Sequence, residues 1–301
     1  MYHYRAYGMT VATEFELPEL ATAARETADI VIEQQSLERV TETATGAEGR
    51  HIEAESDSCR LTYDGVGTFE VQAGDRIACD PLSEAVVEQD AFRRLLENEL
   101  FGVALYQRGY LVLHGSAVAV DGQGRVFLGP QGAGKSTVAA ALHQDGHTLL
   151  EDDVVGIRVD TDPPTVLPGV PQLRVRSDAA AALDLTDQST PAGASWYDKR
   201  FLDIESPQNP VPLDRCYVLR QGDSVAETDY TGQDTLLELV RHTYARGLLT
   251  ETSQMPEHFE QCAQLAAQCD FRVLRVPNDL SALSDVVATV TKPTSEAGSD
   301  R

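Results

Sequence analysis

The sequence predicts an α/β protein in which a mixed sheet with flanking helices follows a β-rich N-terminal region. Three patterns support this prediction. Short strand-like segments separated by turn residues fill positions 1–88, and an amphipathic pattern follows over Glu88–Gln107. Between Arg125 and Gly146, a short apolar strand, a glycine-rich loop and an alanine-rich helix then follow one another, which is the order of a βα unit.

The N-terminal elements are recognised as short runs of β-branched and aromatic residues between turns such as Asp64-Gly65. They carry no pattern of catalytic residues. The predicted strands of this region are Tyr2–Val11, Ala28–Glu33, Arg50–Glu55, Cys59–Tyr63 and Thr68–Ala73.

The elements after residue 88 alternate between helix and strand. In the helix predicted over Glu88–Gln107, apolar residues recur every three or four positions, and Gly109 ends the helix. The segment Pro163–Pro171 is predicted to be irregular, because proline lacks the backbone donor that regular structure needs. The further predicted elements are strands at Tyr110–Leu113, Arg125–Leu128, His147–Leu150, Val154–Val159, Leu213–Arg220 and Phe271–Val276, and helices at Ser136–His143, Asp234–Leu248 and Met255–Cys269.

Residues Gly129–Thr137 read GPQGAGKST and fill the pattern G-x-x-x-x-G-K-[S/T] of a phosphate-binding loop. In such a loop the glycines turn backbone N–H groups towards the phosphates, the lysine reaches them as a charge, and the serine hydroxyl can ligate Mg²⁺. The next helix points its N-terminus at the anion, so a chance Gly-rich turn is the weaker alternative. A nucleoside triphosphate is therefore predicted to bind to Gly129, Pro130, Gln131, Gly132, Ala133, Gly134, Lys135, Ser136 and Thr137.

The chain of 301 residues carries a net charge of −24 and has a sequence pI of about 4.5. Only three of its 24 cationic side chains are lysines, namely Lys135, Lys199 and Lys292. A lysine-poor acidic surface is typical of a halophilic protein, because concentrated salt screens the repulsion between carboxylates. The charge argues against binding to nucleic acid, which needs the opposite sign. Because few lysines remain, Lys199 is a candidate functional residue, with a solvated surface position as the alternative.

The five cysteines form no C-x-x-C pair, and their number is odd. This pattern favours reduced thiols over a disulfide framework. The N-terminus lacks the pattern of a signal peptide, and no apolar stretch approaches the length of a membrane span. We therefore expect a cytoplasmic protein without membrane contact.

Two neighbouring carboxylates follow the loop helix. Asp152 and Asp153 are predicted to end the next strand, at the edge of an α/β sheet where ligands bind. One could hold Mg²⁺ with Ser136 and the other could take a proton from a hydroxyl; a plain strand-ending turn is the alternative. Glu151 is expected to point to the opposite face of the strand from Asp152. His114 lies in the strand before the loop, where an ordinary core or surface position and a position near the nucleotide are equally open.

The run LHGSAVAVDGQGRVFLGPQGAGKSTVAAALHQDGHTLLEDDVV resembles the catalytic core of the HPr kinase/phosphorylase C-terminal domain family. The resemblance is most specific over residues 110–158, where a His-Gly strand, the loop and an Asp-Asp pair have the family's spacing. It indicates an HPr-kinase-like protein with a P-loop kinase-like mixed sheet, not the bacterial regulator itself. The resemblance implies catalytic roles for His114, Lys135, Asp152 and Asp153, with Asp153 as the proton acceptor, and Mg²⁺ ligands at Ser136 and Asp152.

The chain departs from that family in three places: its N-terminal 90 residues differ, the family's partner-docking C-terminal helices are not recognisable, and one internal segment is missing. The family's Glu-Ile-Arg-Gly-Leu-Gly segment, whose Glu is a second magnesium ligand, has no counterpart, and Gln172–Arg176 stands in its place without an acid. HPr is therefore not the expected substrate. One further cation could stabilise the transferred phosphoryl group as an arginine finger does, with Lys199 and Arg200 preferred. The candidates are Arg174, Arg176, Lys199, Arg200 and Arg246.

We expect a β-rich domain over 1–88, an HPr-kinase-like nucleotide-binding domain over 89–290 and a disordered tail over 291–301. The expected function is an ATP- and Mg²⁺-dependent kinase that phosphorylates a hydroxyl, a serine of a protein or peptide, with free serine as a variant. The alternative is an ATP-binding regulatory or scaffold protein with little or no phosphotransfer. The expected partners are a nucleotide and a serine acceptor, without nucleic acid or membrane, and the resemblance makes a homo-oligomer an option.

Overall fold

The computed structural model describes residues 1–41, 49–191, 198–230, 232–244, 252 and 255–292. Within these ranges the chain forms an eight-stranded, a seven-stranded and a three-stranded sheet, with helices packed against them. The predicted mixed α/β fold is therefore confirmed. No helix in the described part is both long and apolar enough to cross a bilayer.

The first sheet contains the N-terminal strands. They are β1 (Tyr2–Ala6), β2 (Met9–Thr13), β3 (Ala21–Thr22), β4 (Ile30–Gln34), β5 (Arg50–Ala54), β6 (Ser58–Tyr63), β7 (Gly67–Gln72) and β8 (Arg76–Pro81). Their order in the sheet is β3-β1-β2-β4-β8-β7-β6-β5. The predicted single strand Tyr2–Val11 is wrong, because Tyr7 and Gly8 take positive φ angles of 55° and 70° and reverse the chain into a hairpin. The sequence pattern does not predict β8, which lies in the middle of this sheet.

A helical segment joins the first sheet to the second. It consists of α1 (Glu84–Val87), α2 (Asp90–Arg94), a π-helical stretch (Leu95–Leu100) and α3 (Phe101–Gln107). Phe92 packs against Phe15 and Phe69, with ring centroids 5.1 and 5.8 Å apart. Val112 and Val154, which lie beyond this segment, belong to the same buried core. The division of the chain at residue 88 therefore stays a prediction, since one core spans it.

The second sheet contains the glycine loop. Its strands are β9 (Leu111–Val120), β10 (Gln123–Leu128), β11 (Thr148–Arg158), β12 (Thr165–Val166), β16 (Val211–Gln221), β17 (Ala226–Asp229) and β18 (Asp270–Val276). β10 pairs antiparallel with β9 and parallel with β16, and β18 lies parallel to β16. The carboxyl ends of these parallel strands meet at one edge, where β10 leads into the loop.

A small third sheet lies beside the second. Its strands are β13 (Gln172–Arg176), β14 (Thr190–Pro191) and β15 (Lys199–Asp203), and β15 pairs with both others. A short helix, α5 (Ser177–Ala182), and a 3₁₀ turn at Thr186–Gln188 complete this unit. Leu173 and Val175 of β13 are fully buried against the glycine-loop helix, so the third sheet is held close to the loop.

Helices cover both faces of the second sheet. They are α4 (Lys135–Gln144), α6 (Gln233–Arg241), α7 (Met255–Gln268) and α8 (Leu283–Val290), with a 3₁₀ turn at Leu280–Ala282. α4 and α8 bury Val138 and Val286 on one face of the sheet. α6 and α7 bury Leu239 and Leu265 on the other face. The predicted helix Asp234–Leu248 ends at Arg241 in the structure, and its last predicted residues, 245–248, lie outside the described residues.

The strand after the loop helix is longer than predicted. The predicted strands His147–Leu150 and Val154–Val159 are one strand, β11, because a shift in register near Leu150 lets its pairing with β9 continue. Asp152 and Asp153 therefore lie inside a strand. Both the predicted strand end and the alternative of a strand-ending turn are wrong.

The π-helical stretch buries a carboxyl group. Glu97 is 0% exposed, both of its carboxyl oxygens are buried without a hydrogen-bond partner, and the carboxyl group of Glu19 lies within electrostatic reach. Burial first, and then the negative charge of Glu19, raise the pKa of Glu97 well above its ordinary value. The folded state therefore keeps a proton that the unfolded state releases, and stability falls as pH rises from the unfolded pKa towards the folded one.

We predict that Glu97→Gln reduces this loss of stability, because a neutral amide replaces the carboxyl group that must ionise. Between about pH 5 and about pH 8, the free energy of unfolding should fall less in the variant than in the wild type. Urea unfolding at both pH values measures this. The exposed Glu88→Gln variant is the control and should follow the wild type. An equal loss in Glu97→Gln and wild type would contradict the prediction.

Candidate functional site

The glycine loop connects β10 to α4. Gly134 has a φ angle of 95° and stands directly before the first residue of α4, Lys135. The Lys135 ammonium donates to the carbonyls of Gly129 and Pro130, at 2.9 and 3.3 Å, so it lies folded over the start of the loop. A Cβ atom at Gly129 would lie 3.0 Å from the Cβ of Ala133, so glycine permits the tight loop. Burial lowers the pKa of Lys135, and neighbouring carboxylates oppose this shift.

The pairing of β9 with β11 brings the predicted residues together. Ser116 lies opposite Asp152, and Gly115 lies opposite Asp153. A Cβ atom at Gly115 would lie 2.8 Å from the carbonyl oxygen of Phe127 on β10. Glycine at this position therefore allows β9 and β10 to approach closely. The carboxylates of Asp152 and Asp153 lie on β11, which is separated from β10 by β9.

Asp152 is buried among hydrogen-bond donors. It accepts from the Ser116 hydroxyl at 2.6 Å and from the backbone N–H of Arg174 at 3.0 Å. The Ser136 hydroxyl of α4 also hydrogen-bonds to it. Burial raises the pKa of Asp152, and these three donors oppose the shift. Asp152 therefore connects β9, the loop helix and β13.

Asp153 is held by a histidine, an arginine and an unusual backbone. Its carboxyl oxygens lie 2.9 Å from His114 Nδ1 and 3.0 Å from Arg174 Nη1. Burial alone would raise the pKa of Asp153, but the His114 hydrogen bond and the Arg174 charge outweigh it, so the pKa is lowered. Its φ angle is 136°, which is rare outside glycine and is found most often at functional sites.

Arg174 is the site residue that the sequence reasoning ranked too low. Its side chain is 11% exposed, and its second guanidinium nitrogen donates to Asn98 Oδ1 at 2.7 Å. The surrounding carboxylates, Asp153 first, raise the pKa of Arg174 against the effect of burial. Only the long-range pairing of the chain brings these residues together, so no local pattern marks Arg174 or Asn98.

The other candidate cations differ in their positions. Lys199 contributes to the lowered pKa of Asp153, so it lies within electrostatic reach of the pair. Arg200 donates to the hydroxyl and the carbonyl of Ser189 at 2.8 and 2.6 Å, which places it in the third sheet and away from the carboxylates. Arg246 lies outside the described residues.

Glu151, which precedes the two aspartates, is buried. Its carboxyl group accepts from the backbone N–H of Val170 at 2.8 Å, and burial raises its pKa to about 8 despite that bond. A Cβ atom at Gly169 would lie 1.7 Å from Glu151 Oε2, so only glycine fits there. This carboxyl group anchors the segment that leads into β13.

The predicted magnesium ligands fit a small oxygen-binding site. The Ser136 hydroxyl and the Asp152 carboxylate are in hydrogen-bonding contact at the start of α4. Among the described residues no group of three or more His, Cys, Asp or Glu side chains is placed to hold a metal. Gln172 donates to Asp203 Oδ1 at 2.9 Å and offers no acid. A magnesium ion here would take most of its remaining ligands from phosphate and water, as this ion commonly does.

Comparison with known proteins finds local similarity. Over 55 residues the chain is 47% identical to an HPr kinase/phosphorylase of Chlorobium phaeovibrioides, covering 18% of this chain and 15% of that protein. Over 60 residues it is 40% identical to an HPr kinase/phosphorylase of Mycoplasmopsis pulmonis, covering 19% of each. The chain thus matches less than a fifth of the length of these relatives. No family model matches it.

In structure, the chain is similar to the Hpr(Ser) kinase/phosphatase of Coxiella burnetii, with a TM-score of 0.32 and 11% sequence identity. The superposition covers 60% of this chain and 93% of that one. We draw no conclusion from so distant a superposition.

We predict that Arg174→Gln raises the pKa of Asp153 in the metal-free protein, because the variant removes the guanidinium charge that favours the ionised carboxylate. Carboxyl ¹³C NMR of labelled aspartate, recorded in EDTA as pH is lowered, measures this. Arg176→Gln is the matched control, because Arg176 lies on the same strand but is exposed and pairs with Asp178. An unchanged Asp153 titration in Arg174→Gln would contradict the electrostatic account.

Proposed function

We propose that this protein is an ATP- and Mg²⁺-dependent kinase that transfers the γ-phosphate to a serine hydroxyl. One observation carries the proposal. Asp153, which has a strained backbone, contacts His114. Its neighbour Asp152 is hydrogen-bonded to Ser136 at the start of the loop helix. These groups converge next to a loop whose sequence fits phosphate.

In the proposed reaction each residue has a separate task. The loop N–H groups and Lys135 hold the β- and γ-phosphates. Asp153 takes the proton of the serine hydroxyl as the serine oxygen attacks the γ-phosphorus in line, the bond to the β–γ bridging oxygen breaks and ADP leaves. His114 and Arg174 hold the Asp153 carboxylate in place. When bound by Ser136 and Asp152, Mg²⁺ would neutralise charge on the phosphates.

The sequence comparisons support the proposal at a coarse level. Both curated relatives with local similarity are named HPr kinase/phosphorylase, so a kinase-like segment is a fitting description of the matched part. That the acceptor is a serine is our own proposal for this chain. A cytoplasmic location belongs to the same proposal.

One observation favours a second candidate, a nucleotide-binding regulatory protein without phosphotransfer. Both carboxyl oxygens of Asp153 are already held, one by His114 and one by Arg174. Their effect on its pKa lowers the proton affinity of this carboxylate. A catalytic role requires that an acceptor hydroxyl displace or join one of these partners, whereas a regulatory protein has no such requirement.

We predict that Asp153→Asn abolishes phosphotransfer and leaves nucleotide binding within a fewfold of wild type. An amide cannot accept the proton, and general-base catalysis contributes roughly 10²–10⁴-fold. Transfer of labelled γ-phosphate from ATP with Mg²⁺, in molar KCl, to free serine and to serine peptides measures the effect. Nucleotide affinity is measured on the same samples.

Asp160→Asn is the matched control, because Asp160 lies just beyond the same strand and is 75% exposed. This control should retain wild-type transfer. If the wild type binds nucleotide tightly but transfers no label to serine or to the serine peptides, the kinase proposal is contradicted and the regulatory candidate remains. Retained transfer in Asp153→Asn would remove Asp153 from the mechanism.

A further inference from the structure

The residues that follow α6 pair with β9 close to the start of the glycine loop. β10 pairs with β9 only over Gly115–Val120, and β11 occupies the other edge of β9. Beyond that stretch, the His114 N–H donates to the carbonyl of His242 at 2.7 Å, and the Tyr244 N–H donates to the carbonyl of Val112 at 3.0 Å. The residues that follow α6 therefore continue the edge of β9 at the point where β10 turns into the loop.

Two arginines and a histidine gather around one carboxylate at this end of α6. Glu238 Oε1 accepts from Arg220 at 2.6 Å and from Arg241 at 2.7 Å, and Glu238 Oε2 lies 3.2 Å from His242 Nε2. The Glu238 side chain is 2% exposed, whereas those of Arg220 and Arg241 are 35% and 62% exposed. The carboxylate is thus buried and the guanidinium groups reach the surface. We call Arg220, Arg241 and His242 the α6 cation cluster.

The α6 cation cluster carries excess positive charge. Within the described residues, Glu238 is the acidic partner found for either arginine, so two guanidinium groups share one carboxylate. Burial lowers the pKa of His242 and Glu238 opposes this, while Lys135 and His114 lower it further. His242, one member of the cluster, therefore lies within electrostatic reach of the loop lysine and of His114, to whose backbone it is bonded.

A purely structural role is the alternative. Cations in the last turn of a helix stabilise it through the helix dipole, and Arg241 and His242 are placed for that. Arg220 is not explained in this way, because it comes from β16 and is held against the same carboxylate. A helix end also needs no second guanidinium, and an excess charge has a cost unless an anion meets it.

We propose that the α6 cation cluster binds a carboxylate that the phosphoryl acceptor carries close to its hydroxyl group. This inference rests on the proposed kinase function and deepens it. The cluster lies on the face of the sheet opposite to α4 and beside His114, which contacts Asp153. An acceptor whose hydroxyl meets Asp153 therefore lies next to His114, whose backbone N–H is bonded to His242 of the cluster.

The charge of the whole chain strengthens the argument. With a net charge of −24, the protein repels an anionic acceptor at long range, particularly at low salt. A local excess of positive charge beside the reacting groups offsets that repulsion and selects acceptors that can use it. The nucleotide phosphates have their own partners in the loop and Lys135.

The test compares acceptors that differ only in the carboxylate. L-Serine is paired with L-serinamide, and a serine peptide flanked by Asp is paired with its copy flanked by Asn, which separates a free amino acid from a peptide. We expect the wild type to prefer the acidic member of at least one pair by roughly tenfold in kcat/KM, which is about 1.4 kcal/mol. Arg241→Gln and Arg220→Gln should lose that preference through a higher KM for the acidic acceptor, with kcat and the KM for ATP unchanged.

Arg158→Gln is the control, because Arg158 pairs with Asp160 and is 40% exposed at the far end of β11. It should keep the wild-type preference. Equal use of both members of each pair by the wild type overturns the inference, as does a preference that survives both arginine variants. A higher KM for ATP alone in those variants also overturns it, because the cluster would then serve the nucleotide.

Absence of transfer to every acceptor would contradict the proposed function and would still leave the anion site testable. In that case the binding of each acceptor pair is measured by saturation-transfer NMR on protein loaded with a non-hydrolysable ATP analogue. This measurement tests the anion site without phosphotransfer. Binding of the acidic member alone, lost in Arg241→Gln, supports the site. Equal binding of both members, or none, overturns it. Thermal unfolding of each variant checks that it is folded.

Discussion

The antiparallel pairing of β9 with β11 is the constraint on which the rest of the site depends. Its register places Ser116 opposite Asp152 and brings His114 to Asp153. A slip of one residue would turn these side chains to the other face of the sheet. Because β10 pairs with the second edge of β9, the same ladder also sets the distance between the carboxylates and the glycine loop.

Arg174 links this ladder to the remainder of the molecule. It pairs with Asp153 on one side and with Asn98 of the π-helical stretch on the other. The neighbour of Asn98, Glu97, is buried against the N-terminal region, so the first sheet, the helical segment and the site support one another. These contacts help to hold Asp153 in a backbone conformation that costs roughly 1–3 kcal/mol.

The sequence predicts the parts of the site that depend on local chemistry. The loop, the helix after it and the aspartate pair lie close together in the chain, and glycine spacing and residue type identify them. The continuity of β11 was not predictable, because Asp152 and Asp153 have low strand propensity and pairing with β9 overrides it. Arg174 was ranked below Lys199 and Arg200, and the hairpin at Tyr7 was missed, because tertiary pairing and a positive φ angle leave no mark on the local pattern.

The central claim is that the ladder, the loop and Arg174 together form a site for phosphoryl transfer. A crystal structure with Mg²⁺ and a non-hydrolysable ATP analogue tests it most directly. The account predicts the metal on Ser136 and Asp152, with the γ-phosphate between Lys135 and the Asp153 carboxylate. A metal held elsewhere, or a γ-phosphate that points away from Asp153, would contradict the account.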